Sequence, residues 1–297
     1  MSEANLFSQQ FCPVCNSDQK KHFLTCLDNT VSKRPFELQE CSGCGFVFTS
    51  PRPQNADLGA FYESDEYISH SNTKKGLISR LYQSVRNRTL AQKLELINSR
   101  QAKGGLLDIG CGTGEFLNVV KGDGWSVRGI EPGDRARQSA IDNYGLDVRP
   151  EEALNEVGSE TMDVITMWHV LEHVPDLKGR LEELKKILKK DGLLIVAVPN
   201  RNSHDAAYYG IDWAAYDVPR HLWHFRPQDI RALFAPHGFE VKEVLPMKFD
   251  SYYVSMLSEK YVTGSINYFA AFRRGWASNS KAGAEAWSSQ IYILRKK

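Results

Sequence analysis

No stretch of this chain approaches the roughly 18 consecutive apolar residues that a membrane-spanning helix needs, so no membrane span is expected. Its first residues, MSEANLFSQQF, offer neither a basic start nor an apolar run ending in small residues. No secretory signal is therefore expected, and the cytoplasm is the expected compartment. Charge of one sign is also missing: 37 Lys and Arg against 36 Asp and Glu leave a formal net charge of +1. That removes a global electrostatic case for nucleic-acid binding. Residues 1–70 hold five basic against nine acidic residues, a net of −4, which is a poor grip for phosphates. Nucleic acid is thus not the expected partner. Cysteine is scarce too, with six in 297 residues, but it is not scattered.

Four of the six cysteines are Cys12, Cys15, Cys41 and Cys44, reading CPVC and CSGCG. Each C-x-x-C puts two thiolates on one tight turn, and Gly43 and Gly45 ease the second turn. Four sulfurs can then close a tetrahedral site at Zn–S distances of about 2.3 Å, and a reducing cytoplasm disfavours disulfides. A four-thiolate shell leaves no open position, so a structural Zn2+ is expected. Cys26 and Cys111 read as buried thiols.

The organisation follows from pattern. Residues 1–55 form a zinc-ribbon-like module. Residues 56–100 form an aromatic, turn-rich connector and an amphipathic helix from about Gly76 to Arg100, with apolar residues at Leu77, Ile78, Leu81, Val85, Leu90, Leu94 and Ile97. Residues 101–297 form the main domain, with an insertion at about 250–289. Strands are predicted at Leu106–Ile109, Ser126–Ile130, Asp147–Arg149, Met162–Met167, Leu193–Val198, Glu240–Leu245 and Gln290–Leu294. Helices are predicted at Gly114–Gly122, Asp134–Asn143, Asp176–Lys189 and Pro227–His237. This alternation predicts an α/β fold with a doubly wound, mainly parallel sheet.

The chemistry sits in Leu106-Leu107-Asp108-Ile109-Gly110-Cys111-Gly112-Thr113-Gly114. A buried strand ends near an acid, a glycine turn follows, and a helix opens beyond it. Glycines let a ligand approach the backbone, and the helix N-terminus offers unpaired N–H groups. Glu131 ends the next strand, where a carboxylate can bind both ribose hydroxyls. The order is G-x-G-x-G rather than the G-x-G-x-x-G of a dinucleotide site. Asp108 would repel a pyrophosphate but suits a cationic amino-acid ligand, which favours S-adenosylmethionine over a nicotinamide.

The segment from about 104 to 245 resembles the class I (Rossmann-like) S-adenosylmethionine-dependent methyltransferases. Asp108–Gly114 is similar to their first motif and Glu131 to their ribose-binding acid. The stretch Met162–Val174 is similar to their fourth strand and its loop, and Leu188–Ile195 to the turn entering the fifth. The resemblance implies seven strands with the last antiparallel, a slot for Gln290–Leu294. It also implies cofactor contacts at Asp108, Gly110, Cys111, Gly112, Gly114, Glu131 and Pro132, with Trp168 and His169 flanking the ligand. Some quinone O-methyltransferases of this class hold a divalent metal in a Glu-x-x-Glu-His cluster at this loop. His169 stands where an acid would be, which argues against a metal.

The substrate belongs at the carboxyl ends of the strands. His173 in the first loop, and His221 and His224 in the loop Pro199–Arg226, are the candidate bases, because a histidine near neutral pKa can deprotonate a hydroxyl. Tyr216 and Arg220 in that loop, and Tyr62, Tyr67 and His70 before the helix, are candidate substrate contacts. Packing and carbonyl pairing are the alternatives for all of these.

Methyl transfer to an O, N or C nucleophile of a small molecule is the expected activity, with a sugar or biosynthetic intermediate as a candidate substrate. Two other readings stay open: an rRNA or tRNA methyltransferase with a zinc-ribbon head, against which the acidic head speaks, and a non-catalytic scaffold, against which the intact glycines and Asp108 speak. In the insertion, Tyr268-Phe269-Ala270-Ala271-Phe272-Arg273-Arg274-Gly275-Trp276 suits a helical cover for the pocket, a partner subunit or peripheral contact with a membrane surface.

Overall fold

The computed structural model describes residues 6–62 and 77–297. Tyr67 and His70 lie outside the described residues. The head consists of β1 (Leu6–Phe7), β2 (Lys20–Leu27), β3 (Pro35–Cys41), β4 (Val47–Thr49) and β5 (Arg52–Pro53), followed by a 3-10 turn at Asn55–Phe61. β2, β3 and β4 form an antiparallel meander.

The main domain opens with α1 (Leu77–Asn98) and then runs β6 (Gly105–Ile109), α2 (Glu115–Gly122), β7 (Ser126–Ile130), α3 (Asp134–Tyr144), β8 (Val148–Arg149), β9 (Met162–Trp168), α4 (Leu177–Ile187), β10 (Leu188–Pro199), α5 (His204–Tyr209), β11 (Trp223–His224), α6 (Pro227–Phe234), β12 (Phe239–Pro246), α7 (Asp250–Thr263), α8 (Tyr268–Lys281) and β13 (Ser289–Lys296). Its sheet has seven strands in the order β12-β13-β10-β9-β6-β7-β8. β13 is antiparallel to both neighbours, and the pairings from β10 to β8 are parallel.

The strands read as continuous apolar runs because both faces are covered. Leu106, Val164 and Ile195 point into a core with Ile97 of α1 and Leu117 and Val120 of α2, while Leu107, Ile165 and Val196 face Leu181 and Leu184 of α4 and Ile230 and Leu233 of α6. The period of two along each strand sorts its side chains between the layers.

Helix boundaries shift by a few residues from the sequence reading, and three of the shifts have a local reason. Asp176 lies outside α4 as its N-cap, its carboxylate accepting from the Gly179 N–H at 3.0 Å. Leu188, expected inside that helix, already pairs with Met162 as β10, before a register shift that ends at Leu193. α6 stops at Phe234 and tightens to a 3-10 turn over Ala235–His237, where Pro236 has no N–H to give; Gly238 then ends it at φ 79°.

The head is sewn to the core. Residues Trp223 and His224, in the loop between β10 and α6, leave the main domain to pair as β11 with Phe48 and Val47 of β4. Phe46 stacks on Trp223 with ring centroids 6.2 Å apart. Arg226 donates to the Cys44 carbonyl at 3.0 Å, and Arg201 donates to that of Gly45.

Candidate functional site

β6 delivers Asp108 at the carboxyl edge of the sheet, between Gly129 of β7 and Thr166 of β9. Its carboxylate is 2% exposed and accepts from the Thr166 hydroxyl at 2.6 Å. Burial pushes its pKa up to about 7 against the pull of Thr166 and Lys93. The turn that follows uses positive φ at Gly110, Gly112 and Gly114 (71°, 56° and 83°). A Cβ at Gly110 would lie 2.4 Å from Val170, and one at Gly114 would lie 2.8 Å from Ala140, so these two glycines allow close packing behind the turn. A Cβ at Gly112 would meet nothing within 4 Å. That glycine faces open space, room in which a ligand can reach the backbone.

Glu131, at the end of β7, accepts from the N–H groups of Gly112 and Gly133, at 2.8 Å each. Burial nevertheless raises its pKa. Each oxygen keeps a lone pair for a second donor, as a vicinal diol requires. Pro132 follows on the exposed side of the strand end, and the Cys111 thiol packs inward under Gly129.

Across the turn, Trp168 meets Phe116 edge to face at 5.6 Å, and its indole N–H is buried without a hydrogen-bond partner among the described residues. Lys93 of α1 sets its ammonium 4.1 Å from the Trp168 ring centre. Burial lowers its pKa to about 8, opposed by Asp108 and Asp250. His169 adopts φ 57° and holds Asp250 of α7 at 2.9 Å and Glu172 at 3.4 Å. Burial resists its charge, but the two carboxylates win and lift its pKa to about 10. At neutral pH it is an imidazolium and no base. Lys93 and Asp250 were missed from sequence. Lys93 carried a signal, since it falls in the apolar row of α1 between Leu90 and Ile97. Asp250 carried none, because only the return of the chain after β12 brings it to β9.

A second cluster lies one turn further on. Glu172 is 1% exposed, and the His169 ring at 3.4 Å is its charged neighbour. The rings of His173 and His221 meet edge to face at 4.6 Å, and the ligand-capable atoms of Glu172, His173 and His221 all lie within 4.8 Å of one another. His221 Nδ1 lies 2.8 Å from the Ala215 carbonyl and His173 Nδ1 3.0 Å from that of Arg220. A carbonyl only accepts, so both rings carry a proton on Nδ1, and Nε2 is the nitrogen that bears the lone pair in the neutral ring. The Tyr62 hydroxyl lies 2.9 Å from His173 Nδ1. Burial, then repulsion from His221, lowers the His173 pKa to about 4.

Three further sequence candidates are engaged elsewhere. Arg220, expected to face substrate, is 1% exposed and clamps Asp28 of the head, Asp217 and the Phe61 carbonyl. Tyr216 packs edge to face on Trp213 and His224. His224, a candidate base, is a residue of β11 with its Nε2 3.0 Å from the Thr49 hydroxyl, and burial drops its pKa well below the usual value. Their common cause is the pairing of β11 with the head, which draws half of this loop into packing.

In the head, Cys12 and Cys44 sulfurs lie 3.6 Å apart, Cys15 and Cys41 sulfurs 3.4 Å apart, and all four are within 4.8 Å. A tetrahedral four-thiolate zinc site has sulfur–sulfur edges of about 3.8 Å, from Zn–S of about 2.3 Å. Backbone N–H groups of Val14 and Cys15 point at the Cys12 sulfur, and those of Gly43 and Cys44 at that of Cys41. The donor set fits zinc.

A sheet of this order, a glycine turn behind an acid, and a second acid closing the next strand define an S-adenosylmethionine-dependent methyltransferase of the Rossmann-like class. The chain belongs to the family described as a methyltransferase domain, whose model matches residues 82–244. It is similar to the ubiquinone biosynthesis O-methyltransferase of Haemophilus ducreyi, 28% identical over 189 residues, covering 57% of this chain and 78% of that protein. The fold is similar to that of geranyl diphosphate C-methyltransferase from Streptomyces coelicolor A3(2), with a TM-score of 0.52, 14% identity and coverage of 76% of this chain and 88% of that one. Phosphoethanolamine N-methyltransferase 2 of Haemonchus contortus gives 0.53 at 14% identity over 84% of this chain and 62% of its own. Among the described residues no helix is long and apolar enough to cross a membrane.

Proposed function

We propose that this methyltransferase moves the methyl group of S-adenosylmethionine to a hydroxyl oxygen of a small molecule. The observation that carries the reading is the pair His173 and His221, both with Nδ1–H tied to carbonyls, beside the buried Glu172 carboxylate, whose other neighbour is the His169 ring at 3.4 Å. A hydroxyl is a weak nucleophile until its proton leaves. The acceptor oxygen attacks the methyl carbon as the carbon–sulfur bond breaks, the sulfonium becomes a neutral thioether, and the hydroxyl proton passes to His221 Nε2, whose new charge Glu172 offsets. The likeness to named O-methyltransferases supports oxygen as the acceptor.

In this reading Asp108 takes the cofactor's ammonium and Glu131 its ribose hydroxyls. The backbone from Gly110 to Gly114 lies against the ligand, with Pro132 at its edge, and Trp168 and His169 flank it. Tyr62 orients His173 rather than touching the methyl group, and Arg220 and Tyr216 fix the loop. The head holds one structural zinc on Cys12, Cys15, Cys41 and Cys44, which closes the knuckles and supplies no open coordination position.

The test is methyl transfer from radiolabelled S-adenosylmethionine to a panel of phenols, catechols and sugars, with calorimetry of cofactor binding alongside. His221→Ala should lower kcat by about 100-fold or more with cofactor affinity unchanged. An unchanged kcat would remove the base assignment.

The closeness of the Glu172, His173 and His221 ligand atoms, within 4.8 Å of one another, favours a second use of the same triad, a divalent cation that acidifies a bound hydroxyl. Its signature is metal content above one ion per chain that falls to one in Glu172→Gln.

A further inference from the structure

α8 is amphipathic in the inverted sense. Its buried positions are the small residues Ala271, Gly275 and Ser278. They let the helix approach α7 so closely that a Cβ on Gly275 would lie 2.8 Å from the Tyr252 backbone. The bulky residues are turned to the outside: Phe269 is 78% exposed, Trp276 58% and Tyr268 53%, and Phe272, stacked by one face on Tyr252 at 5.3 Å, is 63% exposed. Positions 268, 272 and 276, with 269, fall on one stripe of the helix. The helix also carries Arg273, Arg274 and Lys281 and no acidic residue. Arg274 lies 3.9 Å over the ring of Tyr208, itself 47% exposed, which extends the patch beyond α8. The acids of the surrounding insertion are withdrawn: Asp250 holds His169, Glu259 is buried on the Tyr209 hydroxyl, and Glu285 pairs with Arg231.

We propose that this outer face of α8 seats the protein on the surface of an anionic phospholipid bilayer, with the aromatic rings at the level of the head groups and the basic side chains on the phosphates. A helix with aromatics on one side, flanking Arg and Lys, and a full complement of internal partners on its other side is built for an interface. A second copy of the chain is a poorer occupant. A two-fold contact through this face would bring Arg273, which borders the stripe, towards its own image. α7 begins at Asp250, so the seated helix pair is one residue contact from His169.

The experiment is co-sedimentation of the whole protein with phosphatidylglycerol/phosphatidylcholine vesicles and with phosphatidylcholine alone. Binding should be at least tenfold stronger to the anionic vesicles and weaken in high salt. Phe269→Ser/Phe272→Ser/Trp276→Ser should lose it, and Arg273→Glu/Arg274→Glu should lose the preference for anionic lipid, both with cofactor affinity and unfolding temperature preserved. Quenching by brominated lipid that disappears in Trp276→Phe would place the ring in the bilayer. Equal pelleting with and without anionic lipid overturns the proposal. So does a lipid-independent dimer, seen by sedimentation velocity, that the triple variant dissolves. Because the readout is lipid binding, failure here leaves the methyl-transfer reading standing.

Discussion

Asp250 and His169 are 81 positions apart in sequence, yet they form a 2.9 Å ion pair that ties the first turn of α7 to the end of β9. It holds His169 charged and joins the insertion to the strand that borders the glycine turn.

This pair makes stability depend on pH. The folded-state pKa of His169 is raised from 6.5 to about 10, so its contribution is fully present below 6.5 and is lost as pH rises through 10. Asp250→Asn should lower the unfolding temperature most below pH 6.5, and the gap to the parent should close as pH approaches 10. A gap independent of pH, measured by thermal denaturation across this window, would mean that the pair does not set the charge.

Asp108 gives a pH dependence of the opposite use. Its buried carboxyl, with a pKa near 7, keeps its proton in the empty protein below that pH. Stability without ligand therefore declines as pH rises from 3.8 towards 7. An ammonium needs the ionised form, so affinity for S-adenosylhomocysteine should fall about tenfold per pH unit below 7 and level off above it. Asp108→Asn should flatten that profile and weaken binding at pH 8.

Arg220 is expected to matter for stability rather than for substrate. Replacing it with Met leaves Asp28, which is fully buried, and Asp217 without their cation. The loss should be about 3–5 kcal/mol in denaturant titrations, the range for breaking a buried pair from one side. A large rise in substrate KM with full stability would restore the substrate role.

Zinc removal should reach the core. Phe46 and Phe48 of the head pack on Trp223. Chelation, or Cys41→Ser, should change tryptophan emission and lower the unfolding temperature of the whole chain in one cooperative step. An early, separate transition with unchanged methyl transfer would mark the head as independent.

The main sheet was legible because its signals are local. Asp108, the three glycines of the turn and Glu131 lie within 24 residues, and both the strand periods and the helix stop at Gly238 can be read from neighbours alone. The loop Pro199–Arg226 was legible only as rich in chemistry. Whether its histidines and arginine face a substrate or a packing partner depends on β11 pairing with β4, a contact spanning about 175 positions. No spacing rule separates His221, beside Glu172 and His173, from His224, three residues on and bonded to Thr49. The same holds for Asp250, which meets His169 only after the sheet is complete.

The borrowed strand has a consequence for how such a protein can change. Head and catalytic domain look like interchangeable parts in the sequence, with the join at the connector. Yet His221, Arg220 and β11 follow one another in a single loop, one end of which completes the cysteine head's sheet. A transplanted head with a different β4 would carry its own preferred partner strand and shift the histidine beside it. The cysteine head and the histidine loop are therefore constrained to vary together, and a chimaera that swaps one without residues 217–226 of the other should fold poorly or lose activity.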